Sequence, residues 1–65
     1  MSNGTENTRT EEFRKEVFLA LVEAQDQNIP VKESRAAVAG RFGLTSNQVQ
    51  VIEREGIEGQ WPPLN

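Results

Sequence analysis

The sequence predicts a small all-α domain of three helices, and three observations carry that prediction. Apolar residues recur at the helical period in three separate segments; the turn formers Asn28, Pro30 and Gly43 fall between those segments; and the connections are too short to leave room for a sheet. The expected helices span about residues 10–27, 32–42 and 46–55, within one domain over residues 10–65. Sixty-five residues lie at the small end of what folds without disulfides or metal. Only about 60% of the unfolded chain's surface would be buried, so every apolar contact counts.

Residues 1–9, "MSNGTENTR", are polar and aperiodic and read as a disordered arm. The Asn3-Gly4-Thr5 triplet matches a glycosylation acceptor, but such triplets are common by chance and nothing else points to secretion. The first helix has two candidate starts: Thr8 with Glu11, spaced as a capping box, or Thr10, directly ahead of the periodic residues. At about 100° per residue, Phe13, Val17, Ala20, Leu21 and Ala24 share one face, which is the expected core stripe. Phe18, Leu19 and Val22 fall outside it. That surplus apolar arc is covered either by the C-terminal tail or by a second protein.

"DQNIP" breaks the first helix, and Pro30 is tolerated in the first turn of the next. The second helix turns Val38, Ala39 and Phe42 inward and is followed by Gly43, where a left-handed cap is wanted. Thr45 and Gln48 form a Thr-x-x-Gln capping box for the third helix, which is expected to stop at Gly56. Within residues 35–54 each spacing has a physical reason. Ala39 allows close approach of the two helices, Gly43 accepts positive φ in the turn, Leu44 is the buried turn residue, and Val49 and Ile52 anchor the second helix. The fold class is therefore a small three-helix helix-turn-helix domain.

With those residues in place, "VAGRFGLTSNQVQVIE", Val38 to Glu53, resembles the helix-turn-helix of bacterial transcription regulators. It is most similar to the promoter-reading domain of sigma factors, which pairs a Phe-Gly-hydrophobic-Thr turn with a Val/Ile-x-x-Ile-Glu helix. The resemblance covers about 20 of the 65 residues, leaving out helix one and the tail. It implies double-stranded DNA as partner, with Ser46, Asn47, Gln50, Val51 and Arg54 facing bases or phosphates. Helical geometry separately puts Asn47, Gln50, Val51 and Arg54 opposite Val49 and Ile52. The sequence departs from the sigma pattern in that this face is mostly neutral rather than rich in Arg and Lys.

Charge sharpens that departure. The chain carries a net −3, yet residues 6–28 hold −3 of it while residues 32–54, with Lys32, Arg35, Arg41 and Arg54 against Glu33 and Glu53, hold +2. Lys32, Arg35 and Arg41 are the candidate phosphate contacts, with Arg9 as a further one; a mixed solvated surface is the competing account of the same residues. Regulators commonly make about six to ten phosphate contacts, more than one such chain offers. A symmetric dimer through Phe18, Leu19 and Val22, or a tether to a larger assembly, would double the supply.

Composition excludes more than it includes. Cysteine and histidine are absent, which removes a disulfide framework, a cysteine nucleophile, an imidazole base and an ordinary zinc site. Glu53 and Glu55 are two apart on a helix and point in different directions, so they do not pair for acid–base work, and Glu53 is expected to pair with a nearby basic group or the turn. No enzyme activity, cofactor, metal or small-molecule substrate is expected. No apolar run approaches the roughly 20 residues that span a bilayer, and the N-terminus lacks the apolar core of a signal peptide, so a cytoplasmic, soluble domain without membrane contact is expected.

The tail "GIEGQWPPLN" holds the only tryptophan. Either Ile57, Trp61 and Leu64 fold back over helix one, or Trp61-Pro62-Pro63-Leu64 is a docking motif for an aromatic groove. Two functions of different class follow. One is a DNA-binding transcription regulator or accessory transcription factor. The other is a protein-interaction module on the same scaffold, binding through helix one (Phe18, Leu19, Val22) or the Trp61 tail.

Overall fold

Thr10 caps the first helix: its hydroxyl accepts a hydrogen bond from the Phe13 amide at 3.1 Å, satisfying one of the donors that a helix start leaves over. A computed structural model describes residues 10–64. The expected arm, with the Asn3 triplet, Thr8 and Arg9, lies outside the described residues. Helix α1 runs Glu11–Asp26, α2 Val31–Phe42 and α3 Ser46–Gly59, with no strand among the described residues. Each helix packs on the other two, giving the small all-α three-helix domain that periodicity predicts.

The α1–α2 connection turns at Asn28, whose φ of 68° is a conformation that Asn tolerates better than most side chains. Pro30 caps α2 with its carbonyl, which accepts from the Ser34 amide at 2.8 Å, so α2 starts one residue earlier than expected. Ser34 is fully buried, and it is satisfied on both sides. Its hydroxyl donates to the Val31 carbonyl at 2.7 Å and accepts from the Gln25 side chain at 3.3 Å, tying α1 to α2. At the other end of that helix pair, Phe13 and Phe42 meet edge to face at 5.7 Å.

Gly43 takes the left-handed conformation at φ 71°. The Leu44 amide then reaches the Ala39 carbonyl at 2.8 Å, closing α2 in Schellman fashion. Thr45 and Gln48 cap α3 reciprocally, amide to side chain in both directions, at 2.9 and 3.1 Å.

Two expectations change. Helix α3 does not stop at Gly56 but continues three residues to Gly59. Gly56 is buried because the Phe18 ring lies on its bare backbone, and a Cβ placed there would overlap the ring carbons. Phe18 is therefore not a surface for partners. At 1% exposure it is the largest fully buried side chain, with Val17, Leu21 and Val49 beside it in the core. Trp61 is likewise internal, meeting Phe18 edge to face at 6.0 Å and donating its backbone N–H to the Gly56 carbonyl at 2.9 Å. Ile57 and Leu64, by contrast, do not fold back with it; both are more than half exposed. Residue 57 lies about 100° around the helix from residue 56, which faces α1. Leu64 is carried outward by a turn over Pro62 and Pro63, closed by its amide on the Trp61 carbonyl at 2.8 Å. Of the surplus residues on α1, Val22 packs against the core edge and Leu19 stays exposed.

Gly56→Ala should lower stability by about 1–3 kcal/mol despite alanine's better helix propensity, because the ring and helix must separate. Gly40→Ala meets nothing within 4 Å on exposed α2 and should raise it by about 0.5–1 kcal/mol. Thermal melts followed by circular dichroism compare the two; about 4–8 °C per kcal/mol is expected at this size. Equal effects of the two alanines would contradict the packing at Gly56. In the folded domain Trp61 fluorescence should be blue-shifted and shielded from acrylamide. A solvent-like spectrum would place the ring outside the core.

Candidate nucleic-acid interface

Helix α3 divides its residues by angle. Val49, Ile52 and Gly56 face α1 and α2 and are buried. At about 100° per residue the opposite side falls to Asn47, Gln50, Val51 and Arg54. All four are exposed, as is Ser46 in the first turn. Asn47, Gln50, Val51 and Arg54 line one shallow depression of about 230 Å³. A neighbouring depression of about 260 Å³ runs along the α2 side of the helix between Arg35, Glu53 and Glu58, sharing Gln50 and Arg54 with the first. Neither is an enclosed cavity. The surface is a helix ridge with hydrogen-bonding side chains, suited to touching a groove rather than to swallowing a small molecule.

The three consecutive charges Glu53, Arg54 and Glu55 separate by the same rotation. Glu53 turns toward α2 and accepts from Arg35 Nε at 2.9 Å, with Arg35 Nη2 at 2.8 Å from the same oxygen. Glu55 turns toward α1 and takes both Arg14 Nε and Nη2, at 2.9 and 3.1 Å. Such a fork-on-fork pair is the stronger arginine–carboxylate geometry. Arg54 points out between the two clamps. Two of the three acids of this helix are thus neutralised on its flanks; the outward side keeps Arg54, with the exposed Glu58 one turn beyond it.

The candidate phosphate contacts fare unequally. Lys32 and Arg41 are exposed and bridge to no carboxylate among the described residues; Arg41 lies over the Phe42 ring at 5.3 Å. Arg35 corrects the expectation, because its guanidinium is half-buried and engaged by Glu53 and so does not stand ready for phosphate. Lys15, not singled out from sequence, pairs with Glu11 at 3.3 Å and lies 5.8 Å from the Trp61 ring centroid. The candidate protein interface does not survive as a unit, since Phe18 and Trp61 are core and only Leu19, with the edge of Val22, remains outside. Glu53 pairs with a basic group as expected, but which one, and the Arg14–Glu55 clamp altogether, lay beyond sequence reasoning: the partners are 18 and 41 residues apart and no periodicity links them.

Among the described residues no group of three or more His, Cys, Asp or Glu could hold a metal ion, and no helix is long and apolar enough to cross a membrane. Comparison with protein-family models, with curated proteins and with solved structures gives no match.

The Arg35 and Glu53 side chains should couple in a double-mutant cycle to alanine by about 0.5–1 kcal/mol at low salt, with smaller coupling at high salt. Urea titrations of the four proteins measure this. Zero coupling at low salt would mean that the pair does not hold α2 to α3.

Proposed function

We propose that this domain is a DNA-binding transcription regulator or accessory transcription factor, working in the cytoplasm, that lays α3 in the major groove. The observation that carries the reading is the outward face of α3: Ser46, Asn47, Gln50, Val51 and Arg54 are all exposed, and no core contact requires their chemistry. Asn, Gln and Arg are the side chains whose paired donors and acceptors match base edges. Lys32 and Arg41 on α2 supply exposed positive charge next to that helix in the chain. The resemblance of Val38 to Glu53 to the sigma-factor turn and helix supports the same docking, with α2 behind and the start of α3 toward the bases.

Electrostatics set the expected strength. Lys32, Arg41 and Arg54 are few beside the six to ten or so phosphate contacts common in regulators, so a lone chain binds weakly. A second copy, or attachment to a larger DNA-bound assembly, multiplies the contacts. The competing reading, a protein-interaction module docking through α1 or the tail, loses Phe18 and Trp61 to the core and keeps the exposed Leu19 on α1 and Pro62, Pro63 and Leu64 in the tail.

Titration of labelled duplex with the 65-residue chain should give binding at low salt that weakens as salt rises. Arg41→Ala should weaken it and flatten the log K against log salt slope by about 0.9, whereas Arg54→Ala, on the base-facing side, should weaken it with a smaller change in slope. Arg35→Ala should flatten it less, since Glu53 already holds that charge. Absence of binding at low salt, or indifference to Arg41→Ala and Arg54→Ala, would refute the proposal for this chain.

A further inference from the structure

We infer that the outward face of α3 is a reader of adjacent adenine·thymine pairs, with Val51 against a thymine 5-methyl group and a guanine at the Arg54 end; this rests on the DNA-binding reading above. Along the helix Asn47 comes first, Gln50 and Val51 share the next turn, and Arg54 follows one turn later. At 1.5 Å of rise per residue, Asn47 to Arg54 spans about 10 Å. Base pairs repeat every 3.4 Å or so, which gives a window of about three to four successive pairs for a helix lying along the groove.

The chemistry of the window is selective. A carboxamide offers a donor and an acceptor side by side, the match for adenine N6 and N7. Guanine shows two acceptors in the major groove and calls for a guanidinium, which only Arg54 supplies on this face. Cytosine shows a donor and calls for a carboxylate; Glu53 and Glu55 are held on the flanks by Arg35 and Arg14. The Glu58 carboxylate sits a turn beyond Arg54, at the end of the window rather than inside it.

Val51 is the informative residue. It is 49% exposed, lies in the same depression as Asn47, Gln50 and Arg54, and takes no part in the core. It is a half-exposed apolar side chain amid amides, outside the core cluster. In the major groove the apolar counterpart is the thymine methyl.

In vitro selection with the 65-residue chain, from a duplex pool with a randomised centre at low salt, tests this. The enriched motif should hold adjacent A·T pairs with a G within about four positions. Gln50→Ala should cut discrimination at one A·T position on the order of 5- to 150-fold. Replacing the thymine at Val51 by deoxyuridine should weaken binding several-fold in the parent protein and by clearly less in Val51→Ala, whose shorter side chain keeps only part of the contact and whose circular dichroism should match the parent. Enrichment of a motif without A·T pairs, an equal deoxyuridine effect in both proteins, or binding without any enrichment would overturn this assignment and leave DNA binding standing. No binding to any duplex at low salt would remove both.

Discussion

The ring of Phe18 lying on the bare backbone of Gly56 is the contact on which the rest of the domain depends. It seats a ring of α1 directly on the backbone of α3, where any side chain at position 56 would overlap it. Trp61 completes the same contact from the other side. Its ring stands edge-on to Phe18, while its amide donates to the Gly56 carbonyl, which the Gln60 amide also reaches at the end of α3. One residue thus serves as both cap and lid. A glycine inside a helix costs about 1 kcal/mol relative to alanine. Here that cost is offset by the burial of two aromatic rings, which in so short a chain are a large share of the available core.

Fixing α3 by this contact also fixes its rotation, and rotation decides what the helix shows to solvent. With Gly56 facing α1, Glu53 must point to α2 and Glu55 must return toward α1 on the other flank; each finds an arginine. Arg54, between them, can only face outward. The acidic look of "IEREGIEG" therefore overstates the exposed face, because two of its three carboxylates are consumed in holding the helix in place and Glu58 alone stays outside. The net −3 survives this pairing, since each ion pair removes one charge of each sign; what the fold decides is on which face the remaining charges lie.

Local rules made the α2–turn–α3 unit legible. Gly43 at positive φ, the Leu44 closure and the Thr45–Gln48 box each depend on residues within five positions of one another, and their spacing can be read directly. Gly56 misled for the same reason: a glycine after the last periodic apolar residue normally ends a helix, and only a side chain 38 positions away converts it to an interior residue. The true end is at Gln60, a non-glycine residue in the left-handed conformation, which no local pattern announces. The single core stripe drawn on α1 failed at Phe18 because this helix touches α2 and α3 on different sides and buries a wider arc than one seam needs. The exposed face of α3 was legible because exposure follows from the 100° repeat once Val49 and Ile52 are known to be inside. The loss of Arg35 to Glu53 was not, since ion pairs between helices have no periodicity.

On α3 the residues that hold the fold and those that face outward are disjoint sets. Val49, Ile52, Gly56 and the two glutamates carry the packing and the clamps; Asn47, Gln50, Val51 and Arg54 carry neither. Substitutions on the outer face should then cost little stability, within about 0.5 kcal/mol for a surface site, so its composition is free to answer to a ligand. A face of two amides, a valine and one arginine is weak in attraction to phosphate and rich in paired donors and acceptors. On the proposed reading, such a face contributes discrimination, and the affinity must come from outside it: from Lys32 and Arg41, from a second copy, or from a DNA-bound assembly to which the domain is attached. The near-neutral surface then has a purpose. A reader with little charge of its own spends little time on the wrong sequence, because nonspecific binding is essentially the phosphate term, which is small here.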